Sequence, residues 1–270
     1  MTTSADAFGK ASAEDRAALV GYLPAGFPTV EIAIEAARAM AAAGVDIFEV
    51  GLPYSDPLMD GPVIAEAVYR ALANGTRVAD TLRTVEAVAS TGVPALVMTY
   101  WNPVDRWGVR AFARDLAAAG GCGLITPDLT PEEAGPWLEA AEEYALDRVF
   151  LAAPSSTGQR LAAVTKACRG FVYAASLMGT TGARAAVSAE APGLVSRIRE
   201  HTDLPVAVGL GVSNGAQAAQ VAAFADGVIV GTAFVRALLD AADADAADQG
   251  IPAVSELTAE LCAGVRRFTR

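Results

Sequence analysis

At 270 residues, with 53% hydrophobic and 19% charged residues, the chain is too apolar to stay disordered and matches one α/β barrel of about 250 residues. A formal net charge of −11 argues against a nucleic-acid partner, which favours a basic face. Its longest apolar runs, such as ALVMTYW and DGVIVGTAFV, fall short of the roughly 18 residues a spanning helix needs, and the opening MTTSADAFGKASAEDRAALV lacks a basic-then-apolar leader, so a soluble cytoplasmic protein is expected.

Short apolar runs alternate with amphipathic segments along the whole chain. Candidate strands are 19–23, 47–50, 95–99, 123–126, 148–152, 170–174, 205–208 and 227–230, all apolar or β-branched, as parallel strands covered on both faces are. Between them Thr29 precedes EIAIEAARAMAAAG, which closes at Gly44, and VIAEAVYRALANG ends at Asn74-Gly75. Thr130-Pro131-Glu132-Glu133 predicts an N-cap, a first-turn proline and a capping-box glutamate for the next helix. Near the end, DAADADAADQG reads as a solvated helix end and loop. Eight strands each followed by a helix predict a (β/α)8 TIM barrel, a parallel eight-stranded barrel with outer helices, spanning 1–270 as one domain. A doubly wound open sheet stays open as an alternative, because periodicity does not close a sheet.

Chemistry in a barrel sits at the C-terminal ends of the strands and in the loops after them. Glu49 occupies such an end, in FEVGLPYSDPLMDGP, inside an otherwise apolar strand. Desolvation there raises a carboxyl pKa, which suits a group that gives and takes a proton near neutrality. The competing reading is a strand-end glutamate paired with a neighbouring lysine or arginine. Asp60 lies in the loop after the same strand, among Ser55, Asp56, Pro57, Gly61 and Pro62. Two carboxylates facing one pocket make an acid/base pair, although Asp beside Gly and Pro is commonly a turn or cap residue.

Three glycine-rich stretches follow late strands: MGTTGAR (178–184), GLGVSNG (209–215) and GTAF (231–234). Backbone amides at such positions hold a phosphate without any lysine, since glycine permits close approach and the helix dipole favours an anion. Glycine-rich turns also occur for packing alone. Tyr100, Trp101 and Asn102 after the third strand, and Tyr173 at the end of the sixth, either line an aromatic pocket or pack. His201, alone in REHTDLP before a strand, falls on the opposite face and builds no catalytic triad. No cluster has metal-ligand spacing, and Cys122, Cys168 and Cys262, without any CxxC pairing, read as buried free thiols.

FEVGLPYSDPLMDGPVI closely resembles the signature of the tryptophan synthase α subunit family, and the resemblance runs through GYLPAGFP, VMTYWNP, GLITPDLTPEE, YAASLMGTTG, GLGVSNG and ADGVIVGTAFV. It implies a lyase that cleaves indole-3-glycerol phosphate to indole and glyceraldehyde 3-phosphate by a retro-aldol reaction. By the same resemblance Glu49 delivers a proton to indole C3 and takes one from the glyceryl hydroxyl. Asp60 holds the ring N–H, and Tyr173 assists near it. Tyr22 and Met98 border the indole, Gly182, Gly211, Gly231 and Thr232 contact the phosphate, and Thr181 closes over Asp60. The loops at Asp56-Pro57 and Pro127-Asp128 match a docking face for a β subunit in an α2β2 complex. Pyridoxal phosphate is expected in that partner and no cofactor in this chain, where no lysine has a Schiff-base context. The sequence departs from the commonest pattern at Met59, Leu177 and Phe27. A stand-alone lyase, a non-catalytic activator of the β subunit and a sugar-phosphate isomerase are the alternatives.

Overall fold

The computed structural model describes residues 2–175, 190–244 and 246–266. Nine strand segments appear among them: β1 (Ala18–Pro24), β2 (Ile47–Gly51), β3 (Ala95–Met98), β4 (Gly123–Ile125), β5 (Asp147–Val149), β6 (Leu151–Ala152), β7 (Val172–Ala175), β8 (Val206–Gly209) and β9 (Gly227–Val230). All pair in parallel, in the order β5-β4-β3-β2-β1-β9-β8-β7-β6. The two ends of that order, β5 and β6, are halves of one strand interrupted at Phe150. The first half pairs with β4 and the second with β7, so the sheet closes on itself. The predicted single strand 148–152 is therefore two segments, each turned to a different neighbour. The open-sheet alternative is excluded by that closure.

Side-chain parity divides the interior in two. Val20, Ile47, Leu96, Ile125, Val149, Phe171, Ala207 and Ile229 point into the barrel and pack on one another. Their neighbours Leu19, Phe48, Val50, Val97, Val172, Val208 and Val228 face the surrounding helices. This is why each strand reads as a continuous apolar run rather than an alternating one: both faces are covered. The helix Ser4–Ala13 closes the N-terminal end of the barrel, with the Phe8 ring 5.3 Å from that of Phe171.

Local punctuation accounts for the helix ends. Thr29 Oγ1 accepts from the Ile32 amide at 3.2 Å, and the helix Val30–Ala43 ends at Gly44 with φ +108°, a left-handed stop that glycine adopts without a Cβ clash. Pro62 opens the helix Pro62–Ala73, and Asn74 caps its end. The predicted helix start at Thr130 is not observed. Thr130 Oγ1 bonds Glu133 in a separate turn, and the helix runs Gly135–Glu143. Pro136 has no amide to donate to the carbonyl of Glu132, so a helix cannot run continuously from Pro131. Glu132 instead pairs with Arg160 at 2.6 Å.

Among the described residues no helix is long and apolar enough to cross a membrane. The three cysteines are free and buried, and His201 is exposed, as expected.

Candidate active site

The barrel places one cavity at the C-terminal ends of its strands. Tyr22 enters it from β1, Glu49 from β2, Met98 from β3 and Tyr173 from β7, while Gly211, Gly231 and Thr232 border it beyond β8 and β9. Asp60 reaches it from the loop after β2. These eight residues, all singled out from sequence, thus line one space, and Tyr100 lines it with them. Thr181 and Gly182, with Leu177, lie outside the described residues. Phe27, another departure from the family pattern, is fully buried in the core.

Glu49 is in register with Tyr22 on β1 and Leu96 on β3, so its side chain points inward. It is 1% exposed, and neither carboxyl oxygen has a hydrogen-bond partner among the described residues. No ion pair joins it to any cation among the described residues, which removes the paired-glutamate reading. Burial without compensation disfavours the charged form and pushes its pKa up to about 8. Burial thus favours the protonated acid form of Glu49 near neutral pH.

Asp60 differs. Its Oδ1 accepts from the Tyr100 hydroxyl at 2.9 Å, and that hydroxyl accepts in turn from the Met59 amide at 2.9 Å. Burial raises the Asp60 pKa above the usual carboxylate value, and the Tyr100 hydrogen bond opposes the rise. Asp60 does not cap the helix Pro62–Ala73: its N-cap is Gly61, with no side-chain cap. The helix-cap reading of Asp60 is therefore set aside.

The tyrosines are held neutral. Burial raises Tyr22 and Tyr173 well above the ordinary phenol value, and the Glu49 charge adds to both. Each can then donate a hydrogen bond into the cavity. The opposite rim has another character. Gly211 has φ +72°, and Gly231 precedes the helix Thr232–Asp243, whose start borders the cavity; the first amides of a helix have no acceptor within it. No lysine or arginine is among the described lining residues, so an anion there has backbone donors and a helix dipole to bind.

Asp56 and Pro57 lie at the outer edge of the β2 loop, with Leu58 77% exposed beside them. Asp128, in the loop after β4, accepts the Trp101 amide on both carboxylate oxygens, at 2.9 and 3.1 Å. Sequence reasoning passed over Leu151 and Ile229, apolar walls of the cavity. Inward parity at the strand ends would have found them. Tyr100 was noted only as an aromatic at a strand end; nothing in its local sequence signals a bond to a residue forty positions earlier.

A family model described as tryptophan synthase alpha chain matches residues 8–265. The tryptophan synthase alpha chain of Salinispora arenicola is 65% identical over 260 residues, covering 96% of each chain. That of Thermobifida fusca is 59% identical over 273 residues, covering 100% of both. Among solved structures, tryptophan synthase of Mycobacterium tuberculosis superposes with a TM-score of 0.92 at 57% identity, over 98% of this chain and 99% of the other. A Legionella pneumophila tryptophan synthase subunit alpha retains a TM-score of 0.90 at 30% identity, over 99% and 100%. With near-complete coverage in both directions, the chain belongs to the tryptophan synthase alpha chain family.

Proposed function

We propose that this chain cleaves indole-3-glycerol phosphate to indole and glyceraldehyde 3-phosphate, with Glu49 and Asp60 as the working carboxyl groups. The observation that carries the reading is the buried Glu49 carboxyl, which has no partner for either oxygen among the described residues. An uncompensated polar group in a core costs stability, about 1–3 kcal/mol, and such a cost persists where a substrate supplies the missing partner.

The steps follow from the two environments. The protonated Glu49 gives its proton to indole C3, which places positive charge on the ring nitrogen. The Asp60 carboxylate accepts the ring N–H and stabilises that charge. Glu49, now a carboxylate, takes the proton from the glyceryl hydroxyl as the carbon–carbon bond breaks. The bonding electrons return to the indole ring, an aldehyde forms, and Glu49 ends protonated as it began. A carboxyl poised at about 8 serves both transfers. Tyr173 donates near Asp60, and Tyr22 and Met98 bound the indole. Gly211, Gly231 and Thr232, with Thr181 and Gly182, hold the phosphate on backbone donors.

The chain acts with a β subunit in an α2β2 complex in the cytoplasm, as one domain over residues 1–270. Asp56, Pro57 and Asp128 contribute to the docking face, and the exposure of Leu58 beside them supports this. The cofactor, pyridoxal phosphate, belongs to the partner and none to this chain.

Indole release measured with the β subunit titrated in tests reaction and partnership together. Glu49→Gln and Asp60→Asn should each abolish cleavage while leaving the circular dichroism spectrum intact. Near-normal turnover in either variant would remove its assigned role, and a full rate without any β subunit would identify a stand-alone lyase.

A further inference from the structure

Tyr100 follows β3 and precedes the helix Trp101–Trp107, and three contacts hold it in place. Its ring lies 5.4 Å from that of Tyr54, tilted by 37°. The next residue, Trp101, has its amide held by both oxygens of Asp128. The Met59 amide donates to the Tyr100 hydroxyl at 2.9 Å. A phenol has one proton, and an amide nitrogen cannot accept it. The proton is therefore directed to the remaining neighbour, Asp60 Oδ1, at 2.9 Å.

We infer that Tyr100 is a positioning residue for this reaction: its hydroxyl aims the Asp60 carboxylate into the cavity and keeps it in the acceptor form. The inference rests on the reading that Asp60 receives the indole N–H. The other titratable groups lining the cavity among the described residues are Tyr22 on β1, Glu49 on β2 and Tyr173 on β7. The cavity residues after β4 and on β6, β8 and β9 carry no ionisable side chain. None of these groups is a cation. Among the described residues the Tyr100 hydroxyl is thus the donor that favours ionised Asp60 against the burial that disfavours it. Its Met59 partner makes it a fixed donor rather than a rotor that must be reoriented at each turnover.

The pH dependence of kcat/KM for indole release, with the β subunit supplied, tests this, since its acid limb reports the free-enzyme carboxylate. Tyr100→Phe should move that limb up by about one pH unit, with a roughly tenfold loss on the acid side that shrinks as pH rises. Replacing Tyr100 by 3-fluorotyrosine, a stronger donor of almost the same size, should move the limb down. A purely structural tyrosine would give neither opposite shifts nor a pH-dependent loss. An unmoved acid limb in Tyr100→Phe, or an equal loss at every pH, overturns the inference. Should Tyr100→Phe fail to fold, the fluorinated protein decides alone, and an unmoved limb there overturns it equally. Asp60→Asn keeps the two ideas apart: if that variant is near normal, the role of Asp60 has failed. If it is inactive while the Tyr100 substitutions leave the limb in place, only the present inference has failed.

Discussion

The phenol of Tyr22 lies directly across the α-carbon of Gly51, so a methyl group at residue 51 would overlap the Tyr22 hydroxyl and ring edge. The two residues sit on adjacent strands, with Tyr22 in register two positions before Gly51, next to Glu49. Glycine is needed here for space; its backbone φ is not among the left-handed ones. Gly51→Ala should therefore displace Tyr22 and destabilise the protein by about 1–3 kcal/mol, the usual cost of overpacking a core. Tyr22→Leu should relieve that overlap, making the double variant less destabilised than the sum of the two single ones. Urea unfolding of the four proteins measures the coupling. Additive losses would mean the two residues do not meet.

Stability itself should report the Glu49 carboxyl. Its folded pKa of about 8 lies above the unfolded value of 4.5, so the folded state keeps a proton that the unfolded chain releases. The associated stability is fully present below pH 4.5 and is lost as pH rises to about 8. The slope over that window is about 1.4 kcal/mol per pH unit. Glu49→Gln has no such titration. Relative to the native chain, that variant should gain stability steadily between those two pH values and level off above. Asp60 and Asp147, both raised by burial, titrate in both proteins and cancel in the difference. A difference that is flat with pH would show that Glu49 is not held protonated.

The same carboxyl sets the alkaline side of catalysis. If protonated Glu49 starts the reaction, kcat/KM should fall above a limb near pH 8, where the acid is lost. The acid limb then belongs to Asp60, which must be ionised. A rate that climbs unchanged to pH 10 would assign the first proton transfer elsewhere.

These expectations divide along the line between what a sequence carries and what it does not. The barrel was legible because each strand is a short apolar run and each helix end has a local cause, such as Thr29 or Gly44. Glu49 was legible as a carboxylate stranded in such a run. The break at Phe150 was not, since it arises where one strand must serve two neighbours as the barrel closes. The delayed helix after Thr130 is not legible, because the capping signal there is local and complete and only Pro136 overrides it. Asp60 was ambiguous for a related reason: its hydrogen-bond partner, Tyr100, is brought to it by the pairing of β2 with β3. Long-range partners are properties of the sheet order, and no window of sequence contains them.

The outer edge of the β2 loop yields the last expectation. Leu58 is 77% exposed, the most exposed large apolar side chain among the described residues, and it stands between Pro57 and Asp60. An apolar side chain in that setting gains nothing from the isolated fold, so its replacement should leave stability within about 0.5 kcal/mol. In a docked complex it would be covered, and an apolar anchor at an interface is worth more than about 1 kcal/mol. Leu58→Glu should therefore raise the β-subunit concentration giving the half-maximal rate by roughly tenfold or more, because a buried unpaired charge adds to the lost contact. Tyr69→Glu is the matched control. Tyr69 is 70% exposed on the helix Pro62–Ala73 and outside the β2 loop, and its change should leave the titration where it was. If both substitutions shift the curve equally, the effect is one of overall charge on an already acidic chain. If neither does, the partner docks on another face, and the proximity of the β2 loop to the carboxyl pair then has no part in joining the two subunits.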